Sequence, residues 1–341
     1  MPALQLDEQE IRDRIDRVVH RTFQMDFDWD WPGGVAFYGV SEAYEATGKE
    51  EYAARLKEWA DEQLEDGLPR LTVNAVSIGH TLLTLYKATG DEVYKDYAVQ
   101  MAEFLKHDAE RFADGIFQHT VNSAAYNFPQ QAWVDTMFMA GYFLVRIGHL
   151  LERDDYLEDG ILQYHGHEKF LQCPRTNLYY HGWDHVSQTN MSAVFWGRGN
   201  AWAAITMARA LRLIQVTHPS FMVIDGSLRD QLSALVRLQA EDGLWRTVLT
   251  DSDAYTETSA SAGIAAALLS RGKLYNKVVN RSISGILSRI ASDGSVHGVS
   301  AGTAVMRDAE GYKNVPCQRV QGWGQGLTLV FLSSLLAPQE I

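Results

Sequence analysis

The chain repeats itself, and that repeat restricts its possible folds more than any other feature. Tyr44-Glu45-Ala46-Thr47-Gly48 returns as Tyr86-Lys87-Ala88-Thr89-Gly90, and Tyr52 returns as Tyr94, both 42 residues later. Each copy is a helix rich in small residues, a Thr-Gly stop, and then an amphipathic helix. A second mark, an Asp-Gly turn, recurs at Asp66-Gly67, Asp114-Gly115, Asp242-Gly243 and Asp293-Gly294, and Asn177-Leu178 in the wide gap reads as a fifth version. Repeating helix pairs cannot bury their apolar faces alone, so they must stack on their neighbours.

Periodicity fills the space between these marks. Ile11, Ile15, Val18 and Thr22 fall on one helical face, as do Tyr52, Leu56 and Trp59, and Tyr94, Tyr97, Met101 and Leu105. The helices that alternate with these are apolar or small nearly all round, which means burial on most sides. Twelve helices are predicted, over 7–23, 35–47, 49–65, 75–88, 91–108, 132–152, 154–172, 198–217, 226–240, 258–271, 273–291 and 323–337. The odd ones are amphipathic and the even ones buried. Six outer and six inner helices make an all-α, (α/α)6 barrel, and with no Pro- or Ser-rich linker the expected organisation is one domain over 1–341. Strand patterns are confined to short loop pieces. In such a barrel every odd-to-even connection lies at the end where the inner helices begin. Those connections are the long ones, whereas even-to-odd turns such as Thr47-Gly48 and Thr89-Gly90 are tight.

Composition excludes several classes of function. Thirty basic and 43 acidic residues leave a net charge of −13 with no basic run, a poor match for nucleic acid or an anionic membrane. Two cysteines, Cys173 and Cys317, do not make a disulfide scaffold or a cysteine-based metal site. The segment from Met1 to Arg21 is charged and lacks the apolar core of a signal peptide, and no run reaches the roughly 20 apolar residues of a membrane span. The expectation is a soluble, cytoplasmic protein. Phosphate-loop, dinucleotide, nucleophile-elbow and H-E-x-x-H motifs are missing from the sequence, and Gly197-Arg198-Gly199 lacks the third glycine of a dinucleotide loop. His165 and His167 sit on an outer helix without further ligands, so no metal is expected.

The long connections hold the unusual residues. In order they carry Trp29 and Trp31; Thr72 and Asn74; His119, Asn122, Tyr126 and Asn127; Trp133 and Asp135; His181, Trp183 and Asp184; Trp196, Arg198 and Trp202; Tyr255 and Glu257; and Trp323. Aromatic faces, one arginine and a few carboxylates and amides suit a polar ring with a negative charge. Asp135 is the most informative acid, placed about one turn into a helix of aromatic and aliphatic residues. Burial raises such a carboxyl and a helix N-terminus lowers it. The expectation carried forward is an acid titrating above the ~3.9 of free aspartate. For Glu257, capping the following helix is the better reading. Arg198 suits a structural ion pair as well as a substrate contact.

The same residues resemble a known family, the unsaturated rhamnogalacturonyl hydrolases of glycoside hydrolase family 105, and more distantly the unsaturated glucuronyl hydrolases. The matching segments are Trp133-Val134-Asp135-Thr136-Met137-Phe138-Met139-Ala140, His181-Gly182-Trp183-Asp184, Phe195-Trp196-Gly197-Arg198-Gly199-Asn200-Ala201-Trp202, Tyr255-Thr256-Glu257-Thr258-Ser259-Ala260-Ser261-Ala262 and Gly322-Trp323-Gly324, in the family's order across most of the chain. The resemblance implies an (α/α)6 barrel and a glycosidase acting on lyase products that end in a 4-deoxy uronate with a C4=C5 double bond. It implies hydration of that bond, with Asp135 protonating C4 and no cofactor. It implies pocket roles for His181, Trp196, Arg198 and Trp202, with Arg198 gripping the uronate carboxylate. Trp31, Asn74, His119, Trp133 and Trp323 join them as substrate-binding candidates. The expected partner is a small oligosaccharide, not nucleic acid or membrane.

One position departs from that pattern. Where the group often has a second aspartate, this chain has Asn74, an amide that cannot act as a base. Either one carboxyl suffices, or the leaving sugar differs, or the chain is impaired. Two other classes stay open on the residues alone. A sugar epimerase or isomerase would use a base pair such as His181 with His119 or His185. A non-catalytic carbohydrate-binding protein would tolerate loss of Asp135.

Overall fold

The computed structural model describes residues 7–122 and 128–336; Tyr126 and Asn127 lie outside the described residues. Thirteen α-helices occur among them: α1 (Glu8–Thr22), α2 (Trp31–Thr47), α3 (Glu50–Gln63), α4 (Gly79–Thr89), α5 (Glu92–His107), α6 (Phe143–Leu150), α7 (Asp154–Leu171), α8 (Gly197–Ala210), α9 (Phe221–Val236), α10 (Thr258–Leu269), α11 (Asn276–Leu287), α12 (Ala309–Lys313) and α13 (Gly322–Leu336). They form an (α/α)6 barrel. The inner ring runs α2, α4, α6, α8, α10, α13; α6 meets α8 through the helical stretch Met137–Tyr142 that precedes it, and α13 closes the ring against α2. Helices α1, α3, α5, α7, α9 and α11 lie outside, presenting the apolar stripes read from the sequence. Ile15, Val18, Leu56, Tyr94 and Met101 are all buried.

The stops behave as their chemistry requires. Gly48 and Gly90 end α2 and α4 in the left-handed region, with φ of 67° and 70°, and their N–H groups close onto Tyr44 and Tyr86. Asn177, the glycine-free version of the Asp-Gly turn, also has positive φ, at 61°. The closing seam depends on two other glycines. A Cβ on Gly326 would lie 2.1 Å from the Val35 carbonyl oxygen, and one on Gly39 2.3 Å from that of Gly326. Only hydrogen at both positions lets α2 and α13 approach so closely.

The structure corrects three expectations. The thirteenth helix, α12, is a five-residue element capped by Asp308 in a stretch read as loop. Helix α2 begins four residues early, at Trp31, because Asp30 caps it and Pro32 suits its first turn. The element expected over 132–152 is not helical at its start. Gln131–Trp133 form a short strand, β1, paired antiparallel with β2 (Gly182–Asp184), and the inner helix begins as a π-helical stretch over Met137–Tyr142 before α6. Asp135 therefore sits in a turn ahead of the helix, its carbonyl accepting from the N–H groups of Phe138 and Met139, each at 3.0 Å.

Candidate active site

A cavity of about 380 Å³ opens where the inner helices begin. Seven of the residues picked from the sequence line it: Trp31, Asn74, His119, Trp133, Asp135, Trp196 and Arg198. They come from four successive connections, which is the convergence that the barrel topology requires. Three picked residues stand behind the wall. His181 touches Asp135. Trp202 packs on Phe138, with ring centroids 4.9 Å apart, and Trp323 lies 4.5 Å from Trp31.

Each side chain is placed by local structure. The β1–β2 ladder sets Trp133 opposite Gly182, one residue after His181, and the Val134 N–H donates to the His181 carbonyl at 2.9 Å. This ladder holds Asp135 beside His181, with Oδ2 and Nε2 3.3 Å apart; neither atom makes an aligned hydrogen bond among the described residues. His181 is clasped between the Trp196 ring, 4.1 Å away and stacked, and the edge of Trp133. His119 stacks on the other side of Trp133 at 4.3 Å. Its Nδ1 lies 3.3 Å from the Thr136 hydroxyl.

The electrostatics differ from the sequence expectation. Burial is the largest single influence on Asp135 and raises its pKa. The adjacent His181, followed by His119 and the Arg198 charge, outweighs burial and holds the carboxyl below the ordinary aspartate value. The resting group is an anion. Burial lowers His181, against the pull of Asp135, and takes His119 down to about 4, so both imidazoles are neutral at neutral pH.

Arg198 does not offer the open fork expected of it. Its side chain is buried, and each terminal nitrogen donates twice: to the Ser300 carbonyl and hydroxyl at 3.1 and 2.5 Å, and to the Ala301 carbonyl and Thr303 hydroxyl, both at 3.0 Å. Glu257 lies 3.6 Å away and caps α10 through the Ala260 N–H at 2.6 Å, as its position before that helix suggested. The guanidinium therefore pins a wall segment and contributes charge rather than a vacant clamp.

That wall escaped the sequence analysis. Gly302, Thr303 and Ala304 line the cavity with Val121 and Phe128, yet Val299-Ser300-Ala301-Gly302-Thr303-Ala304 carries no chemical flag. The only available signal was position, since this stretch belongs to the longest odd-to-even connection. Asn74, at the place of the often-present aspartate, also lines the cavity, and its Oδ1 is buried without a partner among the described residues. The Trp196 indole N–H is likewise buried and unpartnered.

Comparison with known proteins follows the same outline. Residues 6–337 match the family described as Glycosyl Hydrolase Family 88. The chain is 65% identical over 340 residues to the unsaturated rhamnogalacturonyl hydrolase YesR of Bacillus subtilis strain 168, covering 100% of this chain and 99% of that one. It is 24% identical over 288 residues to an unsaturated 3S-rhamnoglycuronyl hydrolase of Formosa agariphila, covering 78% and 75%. A crystal structure described as a possible GH105 member from Salmonella enterica serovar Paratyphi A superposes with a TM-score of 0.91 at 27% identity, covering 98% of this chain and 96% of that one.

Proposed function

This chain belongs to Glycosyl Hydrolase Family 88, among the unsaturated rhamnogalacturonyl hydrolases of family 105, and from that premise we propose that its cavity hydrates the double bond of an unsaturated uronate, with Asp135 as the proton donor. The enzyme is a glycoside hydrolase acting on lyase-generated unsaturated rhamnogalacturonan oligosaccharides. The observation that carries the mechanism is the Asp135 carboxyl: it lines the cavity with the Trp133 and Trp196 indoles, and its Oδ2 has His181 Nε2 3.3 Å away without an aligned hydrogen bond among the described residues.

The resting anion must gain a proton before it can act. The substrate supplies the bias, because its own carboxylate brings a second negative charge into the cavity and raises the pKa of Asp135. The Asp135 O–H then delivers its proton to C4. The C4=C5 electron pair forms the new C–H bond, and positive charge develops at C5, shared with the ring oxygen. Water adds to C5 and returns a proton to the same carboxylate. The resulting hemiketal opens to a C5 ketone, which leaves C1 as a hemiacetal; the hemiacetal hydroxyl then gives up its proton as C1 becomes an aldehyde, and the next sugar departs as an alcohol carrying that proton.

The remaining residues bind. Trp31, Trp133 and Trp196 line the cavity with indole surface against which sugar rings can pack. The unpartnered Asn74 oxygen accepts from a hydroxyl, a task that an amide performs as well as a carboxylate. The N-termini of α2 and α8 point their dipoles at the cavity, and with Arg198 they make it locally attractive to the uronate carboxylate despite the chain's charge of −13. No helix among the described residues is long and apolar enough to cross a membrane, and we assign the protein to the cytoplasm, where short lyase products would be consumed.

The test is loss of the double bond's ultraviolet absorbance when the protein meets lyase-digested rhamnogalacturonan. Asp135→Asn should fold, bind with little change in KM, and lose at least the ~10²–10⁴-fold that a general acid contributes. A folded variant keeping more than about a tenth of kcat would remove Asp135 from the role.

A further inference from the structure

We propose that Tyr312 is a positioning residue for the Asp135 acid: its phenol fixes the tautomer of His181, so that an imidazole N–H rather than a lone pair faces the carboxylate. The proposal rests on the role given to Asp135 above. Tyr312 is fully buried on α12, far from Asp135 in sequence, and its hydroxyl lies 2.8 Å from His181 Nδ1. The other ring nitrogen, Nε2, lies 3.3 Å from Asp135 Oδ2. Behind Tyr312, the Ser192 hydroxyl is 3.4 Å away. The four groups make a chain of close contacts that ends on Asp135 at the cavity.

A neutral imidazole carries a proton on only one nitrogen. Burial pushes the phenol up to about 12, so at working pH it is a protonated donor. Its O–H donates to Nδ1, and the imidazole proton is left on Nε2, toward Asp135. The groups facing His181 are consistent with this assignment. Asp135 approaches from the turn before the π-helical stretch, Tyr312 from α12, and Arg198 from the start of α8, while the Trp133 and Trp196 rings hold the imidazole plane. An anion on one side and a phenol O–H on the other select the same tautomer.

The consequence is chemical. Protonating carbon is slow and favours a strong acid, and an N–H aimed at the carboxylate makes Asp135 a stronger acid by stabilising its conjugate base. Without the phenol the ring is free to place its proton on Nδ1 and turn a lone pair toward Asp135, which favours the protonated carboxyl and weakens it as a donor.

Two measurements on the intact protein test this. Nitrogen-15 NMR of histidine-labelled wild type, with His181 assigned by difference against His181→Gln, should show the neutral Nε2–H tautomer. In Tyr312→Phe, Nδ1–H should become populated. The alkaline limb of kcat/KM should also move upward by about one pH unit in Tyr312→Phe, with a several-fold lower plateau and little change in KM. Lys313→Gln, which breaks the ion pairs that the neighbouring residue of α12 makes with Asp251 and Glu310, should leave the limb in place. A wild-type His181 protonated on Nδ1 overturns the proposal without any variant. So does a Tyr312→Phe protein whose only change is a lower melting temperature. Neither result touches the role of Asp135, which stands or falls with Asp135→Asn.

Discussion

At Arg198, four of the five N–H groups of a guanidinium are committed to Ser300, Ala301 and Thr303. Lysine keeps the charge but not this geometry. Arg198→Lys should therefore loosen the wall as well as the binding of substrate, losing about 2–4 kcal/mol of stability for the broken buried bonds. Denaturant titration beside steady-state kinetics checks this; a raised KM at unchanged stability would restore the clamp role expected from the sequence. Asp135 makes a second prediction at this scale. Its carboxyl lies below the usual value in the free enzyme, and as the proposed acid it must be protonated to act, so kcat/KM should keep rising as pH falls through 5. In the complex the substrate's charge raises the same group, so the alkaline limb of kcat should lie at higher pH than that of kcat/KM. Coincident limbs would show that the bound uronate does not influence the acid.

Among the elements, the α2–α13 seam and the start of the π-helical stretch matter most. The contact at Gly326 is with backbone, which cannot rotate away. Gly326→Ala should cost about 2–3 kcal/mol by overpacking, seen as a lower urea midpoint with activity per folded molecule largely kept. An unchanged midpoint would mean that the seam has slack. Helix existence was legible here because Thr-Gly and Asp-Gly stops force a backbone conformation that can be read directly. The start of the third inner helix, α6, was not. Gln131 to Val134 is a short apolar run, which fits a buried strand as well as a helix, and only pairing with Gly182–Asp184, about fifty residues away, decides between them. Helix α12 is too short for periodicity to register, and with it Tyr312 stayed hidden.

For the molecule as a whole, legibility followed topology. Once the alternation of outer and inner helices is recognised, all the long connections must share one end, and seven picked residues do line one cavity. Arg198's bonds, the neutral histidines and the 300–304 wall depend on packing between distant segments, which no local pattern encodes. Those histidines also govern acid stability. His119 and His167 are buried and lowered from 6.5 to about 4, and His80, which accepts from Arg146 and lies 3.2 Å from the Phe138 carbonyl oxygen, is well below 6.5. Below pH 6.5 the unfolded chain binds protons that the native histidines refuse, so stability falls as pH drops toward 4. For His119 and His167 the loss is about 3 kcal/mol each when complete. Thermal melts from pH 7 to 4.5 should show a steady decline, flattened in His167→Gln; a melting temperature independent of pH over that range would mean these histidines do protonate in the native fold.

The seam between α2 and α13 also sets an order of events during synthesis. The strip of α2 that must be covered leaves the ribosome early, and the helix that covers it is the last of the thirteen to emerge. Until then a nascent chain with Asp135, His181 and Trp196 already translated lacks the helix that covers the inner faces of α2 and α10. It is neither a closed ring nor a finished pocket, because Trp323 and the wall pinned by Arg198 arrive with the final stretch. A chain halted at residue 320 should be cut rapidly by protease where the released protein resists. The vulnerable interval is the time needed to translate the distance between the two partners, and the two glycines that let the ring shut tightly are the point at which that interval ends.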